Sequence, residues 1–132
     1  MILIDTSVWI DFLQARNNEK TEKLNKILEL NIPFGITGQI YQEVLQGAAT
    51  GKDFNTLKRY FDTFALYTPL DERESYAKAA QIYFLCRKKG ITVRSTADCL
   101  IVQIARERRL KLLHNDKDFD YMCRAVGGFE AF

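Results

Sequence analysis

The first eleven residues, Met1 to Asp11 (MILIDTSVWID), constrain the fold more than any other stretch. Met1 to Ile4 is a short apolar run without alternation, the pattern of a strand buried on both faces of a parallel sheet. Asp5, Thr6 and Ser7 follow at once. Thr6 or Ser7 is suited to cap a helix carrying Val8, Trp9, Phe12 and Leu13 on one side. Asp5 then stands where a central strand hands over to a helix, the edge at which open α/β sheets bind ligands. Its meaning depends on whether other segments bring acids to the same edge.

Further along, Arg16 to Thr21 reads as a polar loop, and Leu24, Ile27 and Leu28 mark an amphipathic helix stopping near Asn31. Pro33 to Ile36 is a second strand candidate. Thr37 is a good cap for a helix in which Ile40, Val44 and Leu45 share a face, and which carries Glu43 and ends near Gly47. Ala48 to Lys52 reads as a turn. Leu57, Phe61 and Phe64 suggest another helix, and Leu66 to Pro69 a third strand. Asp71 to Lys89 is a long helix with Tyr76, Ala80 and Tyr83 on one side, stopped by Gly90. Ser95 or Thr96 starts a helix with Ala97, Ile101, Ile104 and Ala105 turned inward. Leu110 to His114 is a fourth strand, and Phe129 to Phe132 an edge strand. Strands alternating with helices argue for an α/β fold with a parallel sheet, whose right-handed crossovers align the strand C-termini along one edge.

At 132 residues the chain is expected to form one domain, residues 1–132, with a hydrophobic fraction of 47% that suffices for a core. Cys86, Cys99 and Cys123 have no paired spacing, which suits a reducing cytoplasm better than a disulfide framework or a structural zinc site. No signal peptide is visible and no stretch approaches a membrane span, so no membrane role is expected.

On this reading Asp5 follows the first strand, Asp116 follows the fourth, Glu43 lies in the second turn of its helix and Asp98 in the first turn of its own. Asp118 is a fifth candidate. Clustered carboxylates repel one another and need a cation, and hard oxygen ligands suit Mg²⁺ or Mn²⁺. Such a site activates water and stabilises the leaving oxygen of a phosphodiester. Plainer roles compete: Asp5 as a helix cap, Asp98 in a capping box with Ser95, Asp118 in one with Asn115, and Glu43 as a solvated helix residue.

Four motifs carry a family resemblance: IDTSVWIDF at the start, QEVLQG around Glu43, STADCLI around Asp98 and LLHNDKDF around Asp116. Together they resemble the PIN-domain ribonucleases, and within them the VapC toxins of toxin–antitoxin pairs, along the whole chain. The resemblance implies a three-layer α/β/α sandwich around a central, mainly parallel sheet of four to five strands. It implies a catalytic set of Asp5, Glu43, Asp98 and Asp116. One or two Mg²⁺ or Mn²⁺ ions would be held by Asp5, Asp98 and Asp116, with Glu43 and Asp118 as further candidate ligands. Thr6, Ser7, Thr96 and Asn115 would be supporting polar residues. The implied activity is endoribonucleolytic hydrolysis leaving 5′-phosphate and 3′-hydroxyl ends. The implied partners are a small VapB-type antitoxin, with Trp9 and Phe12 near its groove if exposed, and a homodimer or toxin–antitoxin hetero-oligomer. His114-Asn115 stands before Asp116, where the family commonly has threonine.

The single histidine, His114, excludes a two-histidine ribonuclease mechanism. Ser7 occupies the position where a haloacid-dehalogenase phosphatase needs a second Asp, and Asp5 lacks the adjacent acid of a receiver domain. A catalytically silent PIN-like RNA-binding module is the remaining alternative. Net charge is only +2, but with the five candidate acids set aside twelve acidic residues remain against 19 basic ones. Arg87 to Lys89 reads as a solvated helix end, whereas Arg94, Arg106, Arg108, Arg109 and Lys111 are open to a role in attracting phosphates.

Overall fold

The structure, a computed structural model, describes all 132 residues, Met1–Phe132. Five short strands, β1 (Ile2–Ile4), β2 (Phe34–Thr37), β3 (Ala65–Tyr67), β4 (Lys111–Leu113) and β5 (Glu130–Ala131), form one sheet in the order β3-β2-β1-β4-β5. Every pairing is parallel. Seven helices connect them: α1 (Thr6–Leu13), α2 (Glu19–Glu29), α3 (Gly38–Gln46), α4 (Gly51–Phe61), α5 (Glu72–Lys88), α6 (Thr96–Glu107) and α7 (Lys117–Val126).

From β1 the chain winds outward through β2 to β3, then crosses back to β4 and β5. Right-handed crossovers put α1 to α4 on one face and α5 to α7 on the other. The helix neighbours agree: α1 packs on α2 and α3, α3 on α4, and α5 on α6 and α7. The result is the expected α/β/α sandwich, with the sheet parallel throughout. Because the chain departs in opposite directions from β1 and β4, a crevice opens at their C-terminal ends, the topological switch point. All three residues of β1 are buried, as the unbroken apolar run requires.

Several local expectations shift. Asp5, not Thr6 or Ser7, caps α1: its backbone is extended and its carboxylate accepts from the Ser7 amide. The stretch read as a loop already enters α2 at Glu19, because Asn18 and Thr21 form a reciprocal capping box. Thr50 caps α4, so that helix begins inside the expected turn. On α5 the Tyr76 side is not the inward one. Ser75, Ala79, Ile82 and Cys86 face the core, and Tyr76 is exposed. Burying Ser75 is possible because its hydroxyl donates to the Glu107 carboxylate of α6 at 2.8 Å. Ser95 occupies the N-cap position of α6, but neither it nor Asn115 forms the expected capping box. Ser95 makes no capping bond, and Asp116 is itself the cap of α7.

Gly35 in β2 is a point of close approach. A Cβ there would lie 2.6 Å from the Ala65 carbonyl oxygen of β3 and 2.6 Å from the Tyr67 ring. Neither the strand backbone nor the packed ring can withdraw cheaply. Gly35→Ala is therefore expected to lower unfolding stability by about 2–3 kcal/mol, measurable as a reduced urea midpoint. A loss below about 0.5 kcal/mol, the usual size of a surface change, would show that the sheet yields there.

Candidate active site

The switch point is built from the ends of β1 and β4. The Asp5 amide donates to the Leu113 carbonyl at 2.9 Å, so the strand ends are tied side by side. Asp5 Oδ2 accepts from the Ser7 amide at 3.0 Å and the Ser7 hydroxyl at 2.7 Å. Ser7 Oγ in turn accepts from the Asn115 amide at 2.9 Å, and the Asn115 side chain donates to Asp11 Oδ2 at 3.1 Å. Asp11 also accepts from Asn18 at the start of α2, at 3.1 Å. This chain of bonds fixes the loop carrying Asp116 against α1 and orients the Asp5 carboxylate.

Asp98, in the first turn of α6, and Asp116 and Asp118, at the start of α7, complete the crevice. Carboxylate oxygens from these three lie within 4.8 Å of one another. Asp116 Oδ1 accepts from the Asp118 amide at 3.0 Å. Asp5 and Glu43 stand close enough to act electrostatically on this group. Burial, and then the charges of Asp5, Asp116, Glu43 and Asp118, push the Asp98 carboxyl up from 3.8 to about 7. Burial raises Asp5 as well, against the lowering effect of the Ser7 hydrogen bonds. Glu43 is raised by burial and by Asp5, with a partial offset from the Thr6 hydroxyl dipole. Thr6 Oγ1 is itself buried without a hydrogen-bond partner.

All four expected acids thus meet at one edge. Asp118 meets them too, as a buried residue rather than as the capping partner of Asn115. Ser7 and Asn115 are structural links between the acid-bearing segments. Thr96 is exposed and makes no hydrogen bond to the acids; it lines a cavity of about 380 Å³ between α5 and α6 together with Tyr76, Ala80 and Tyr83. His114 is buried, its Nδ1 accepts from the Asp116 amide at 3.2 Å, and burial lowers its pKa. The neutral ring therefore carries its proton on Nε2, facing Asp120 Oδ1 at 3.5 Å. It braces the Asp116 loop.

Two residues of the site escape sequence reasoning. Asp11 lies four positions after Ser7 on the same face of α1, a spacing that signals a shared surface. Arg94 reads in sequence only as part of a basic stretch. In the fold its Nε donates to Asp118 Oδ2 at 3.0 Å, and its Nη2 lies 3.7 Å from Asp116 Oδ1. The remaining basic residues sit elsewhere. Arg87 and Lys88 close the last turn of α5 and lie over Tyr83 and Phe84. Arg108 donates to the Thr68 carbonyl at 2.6 Å. Arg106, Arg109 and Lys111 line a cavity of about 470 Å³ by the start of β4, at the sheet edge away from the acids.

The sequence profile of the PIN domain matches residues 2–125, nearly the whole chain and every acid of the crevice. The chain belongs to the PIN-domain family. Among characterised PIN-domain relatives, VapC ribonuclease Mb1587 of Mycobacterium bovis is 33% identical over 125 residues, which are 94% of this chain and 92% of that protein. Ribonuclease VapC11 of Mycobacterium tuberculosis matches to the same extent. Solved structures share the fold at lower identity. FitAcB from Neisseria gonorrhoeae superposes over 100% of this chain and 96% of that one, with a TM-score of 0.71 at 21% identity. VapBC2 from Rickettsia felis, bound to a DNA fragment from its promoter, superposes over 98% and 97%, with a TM-score of 0.73 at 13% identity.

The donor set of this PIN domain fits a hard divalent cation. Its candidate ligand atoms are all carboxylate oxygens, and burial together with their mutual repulsion holds a proton on Asp98 up to about 7. No helix of the chain is long and apolar enough to cross a membrane.

Proposed function

We propose that residues 1–132 act as one metal-dependent endoribonuclease domain, a VapC-like toxin of the cytoplasm that hydrolyses RNA phosphodiesters. The observation that carries this reading is the convergence of Asp5, Glu43, Asp98 and Asp116 from four distant segments, where burial and their mutual repulsion together shift Asp98 to about 7. Isolated helix caps do not produce that. The relatives named ribonuclease VapC point to RNA as the substrate class.

Asp98 and Asp116, with Asp5 beside them, would hold Mg²⁺ or Mn²⁺, one ion or two, and Glu43 would reach it through water. Bound there, the metal supplies the positive charge that activates water and stabilises the departing oxygen of the phosphodiester. Ser7 keeps Asp5 oriented. Glu43, raised by burial and by Asp5, is suited to take a proton from the attacking water. The products are a 5′-phosphate and a 3′-hydroxyl. His114 cannot serve as one of a histidine pair, since it has no second histidine and its Nδ1 is engaged.

A small antitoxin is the proposed protein partner, in a toxin–antitoxin hetero-oligomer. Trp9 is fully buried and Phe12 partly so, and the exposed apolar residues of α1 are instead Ile10 and Leu13. With Val44 and Leu57 they line a groove of about 430 Å³ that reaches Glu43. An amphipathic helix seated there would close the site from one side.

The test is incubation of the protein with structured RNA in Mg²⁺, in Mn²⁺ and in chelator, beside Asp5→Asn and Asp116→Asn. Cleavage is expected only with metal and only in the wild type. Cleavage that persists in chelator, or equally in both variants, would overturn the mechanism. RNA bound without cleavage under any metal condition would make this a silent binding module.

A further inference from the structure

Among the basic residues, Arg94 is the one that touches the acids, and it does so in a specific way. It sits in the loop between α5 and α6, next to Val93, whose side chain is buried and pins the loop to the core. Its Nε–H is committed to Asp118 Oδ2 at 3.0 Å. Asp118 is buried, with a side chain only 7% exposed, whereas the Arg94 side chain is 74% exposed. The pair therefore has a fixed inner end and a free outer one. Nη2 leans toward Asp116 without reaching hydrogen-bond distance, and Nη1 has no protein partner. A guanidinium held by one edge presents its other edge as a planar fork, the geometry that matches two oxygens of a phosphate.

Asp118 belongs to the group of three acids whose oxygens lie within 4.8 Å, so by position alone it is a candidate metal ligand. It is also the acid of that group whose charge is matched by a cation at hydrogen-bond distance. A carboxylate already neutralised by a guanidinium has less to offer a divalent ion than Asp98, which has no cation at hydrogen-bond distance.

We propose that Arg94 binds a phosphate of the RNA, and that Asp118 positions Arg94 instead of ligating the metal. This rests on the reading of the chain as an RNA-binding nuclease, which it deepens by naming the group that grips the phosphodiester beside the acids. The arrangement also answers an electrostatic difficulty. A pocket of acids repels the polyanion it must cleave, and a cation anchored at its rim offsets that repulsion even before metal binds.

The experiment measures two bindings separately. In chelator, a fluorescein-labelled RNA is titrated with wild type, Arg94→Gln, Arg94→Lys, Asp118→Asn and the double variant, over a range of salt. Arg94→Gln is expected to weaken binding about tenfold and to lower the slope of log affinity against log salt by about one. Asp118→Asn should weaken binding similarly, and the double variant no further, because both act through one contact. Arg94→Lys should keep the salt slope while losing part of the affinity. Mn²⁺ binding is then followed by calorimetry: Asp116→Asn should lose it, and Asp118→Asn should keep it. Thermal melts of each variant separate these effects from misfolding. Unchanged RNA affinity and salt slope in Arg94→Gln would overturn the proposal, as would loss of Mn²⁺ in Asp118→Asn as complete as in Asp116→Asn. If the wild type binds RNA without cleaving it under any metal condition, while the Arg94 and Asp118 variants bind it less well, the nuclease reading fails and the phosphate contact stands.

Discussion

Asp98→Asn is expected to do two opposite things: lower RNA cleavage about a thousandfold and stabilise the metal-free protein at neutral and alkaline pH. The first effect follows from removing the charge that a divalent ion needs at the centre of the acid group. The second follows from the shift that makes Asp98 useful. An ordinary Asp loses its proton near 3.8, and this one keeps it to about 7 because burial and four neighbouring acids oppose its charge. Between those values the native state holds a proton that the unfolded chain has released, so stability falls as pH rises through that window. The full shift corresponds to roughly 4 kcal/mol, and partial access to solvent reduces this to about 2 kcal/mol.

Thermal melts in chelator should therefore show the wild type losing about 4–6 °C between pH 5 and pH 8, the part of the window that lies above pH 5. Asp98→Asn should escape most of that loss, and added Mn²⁺ should reverse it in the wild type alone. Parallel pH profiles for the two proteins in chelator would show that Asp98 does not store this energy.

The largest loss of stability is expected from Trp9→Ala. Trp9 is fully buried in α1, within 4.9 Å of the Phe61 ring, 5.1 Å of Phe64, 5.8 Å of Phe12 and 6.0 Å of Phe34, measured between centroids. These rings come from α1, β2, α4 and the turn after α4, so the indole is the common packing surface between α1, the sheet and the end of α4. Its Nε1 is buried without an acceptor, so truncation forfeits packing and no hydrogen bond. The expected cost is about 3–5 kcal/mol, out of roughly 5–15 kcal/mol for a domain. Urea titration should show a lower midpoint at an unchanged slope. A cost below about 1 kcal/mol, well short of ordinary large-to-small core changes, would mean that the surrounding rings close over the gap.

Because Asp5 caps α1 and Trp9 follows one turn later, packing and chemistry share a helix. The apolar layer under Trp9 holds the N-terminus of α1, and the Asp5 carboxylate with it, against the end of β4. Truncation should therefore also lower cleavage at temperatures where the chain is still mostly folded.

The opening stretch illustrates what could be read directly. Met1 to Ile4 announces a doubly buried strand, and the acids after the first and fourth strands fall at one edge as soon as the sheet is parallel. Thr37 as a cap and Glu43 in the second turn of α3 are likewise local facts. The departures from that pattern are local too. The cap of α1 is Asp5 because an extended residue directly before a helix can bond the amide two positions on, and three polar residues in a row leave that choice open. The inward face of α5 is displaced by one position because Glu107 of another helix satisfies Ser75.

The sequence by itself determined the alternation of strands and helices, the edge at which Asp5, Glu43, Asp98 and Asp116 gather, and the family motifs that contain them. Burial periodicity and capping are properties of neighbouring residues, so they can be read along the chain. Only the tertiary structure decided that Asp118 faces Arg94, that Asp11 reaches Asn115 across 104 residues, and that Arg106 and Arg109 line a cavity at the other end of β4. Partners across a fold are chosen by packing, and a charged side chain carries no mark of which distant carboxylate it will meet.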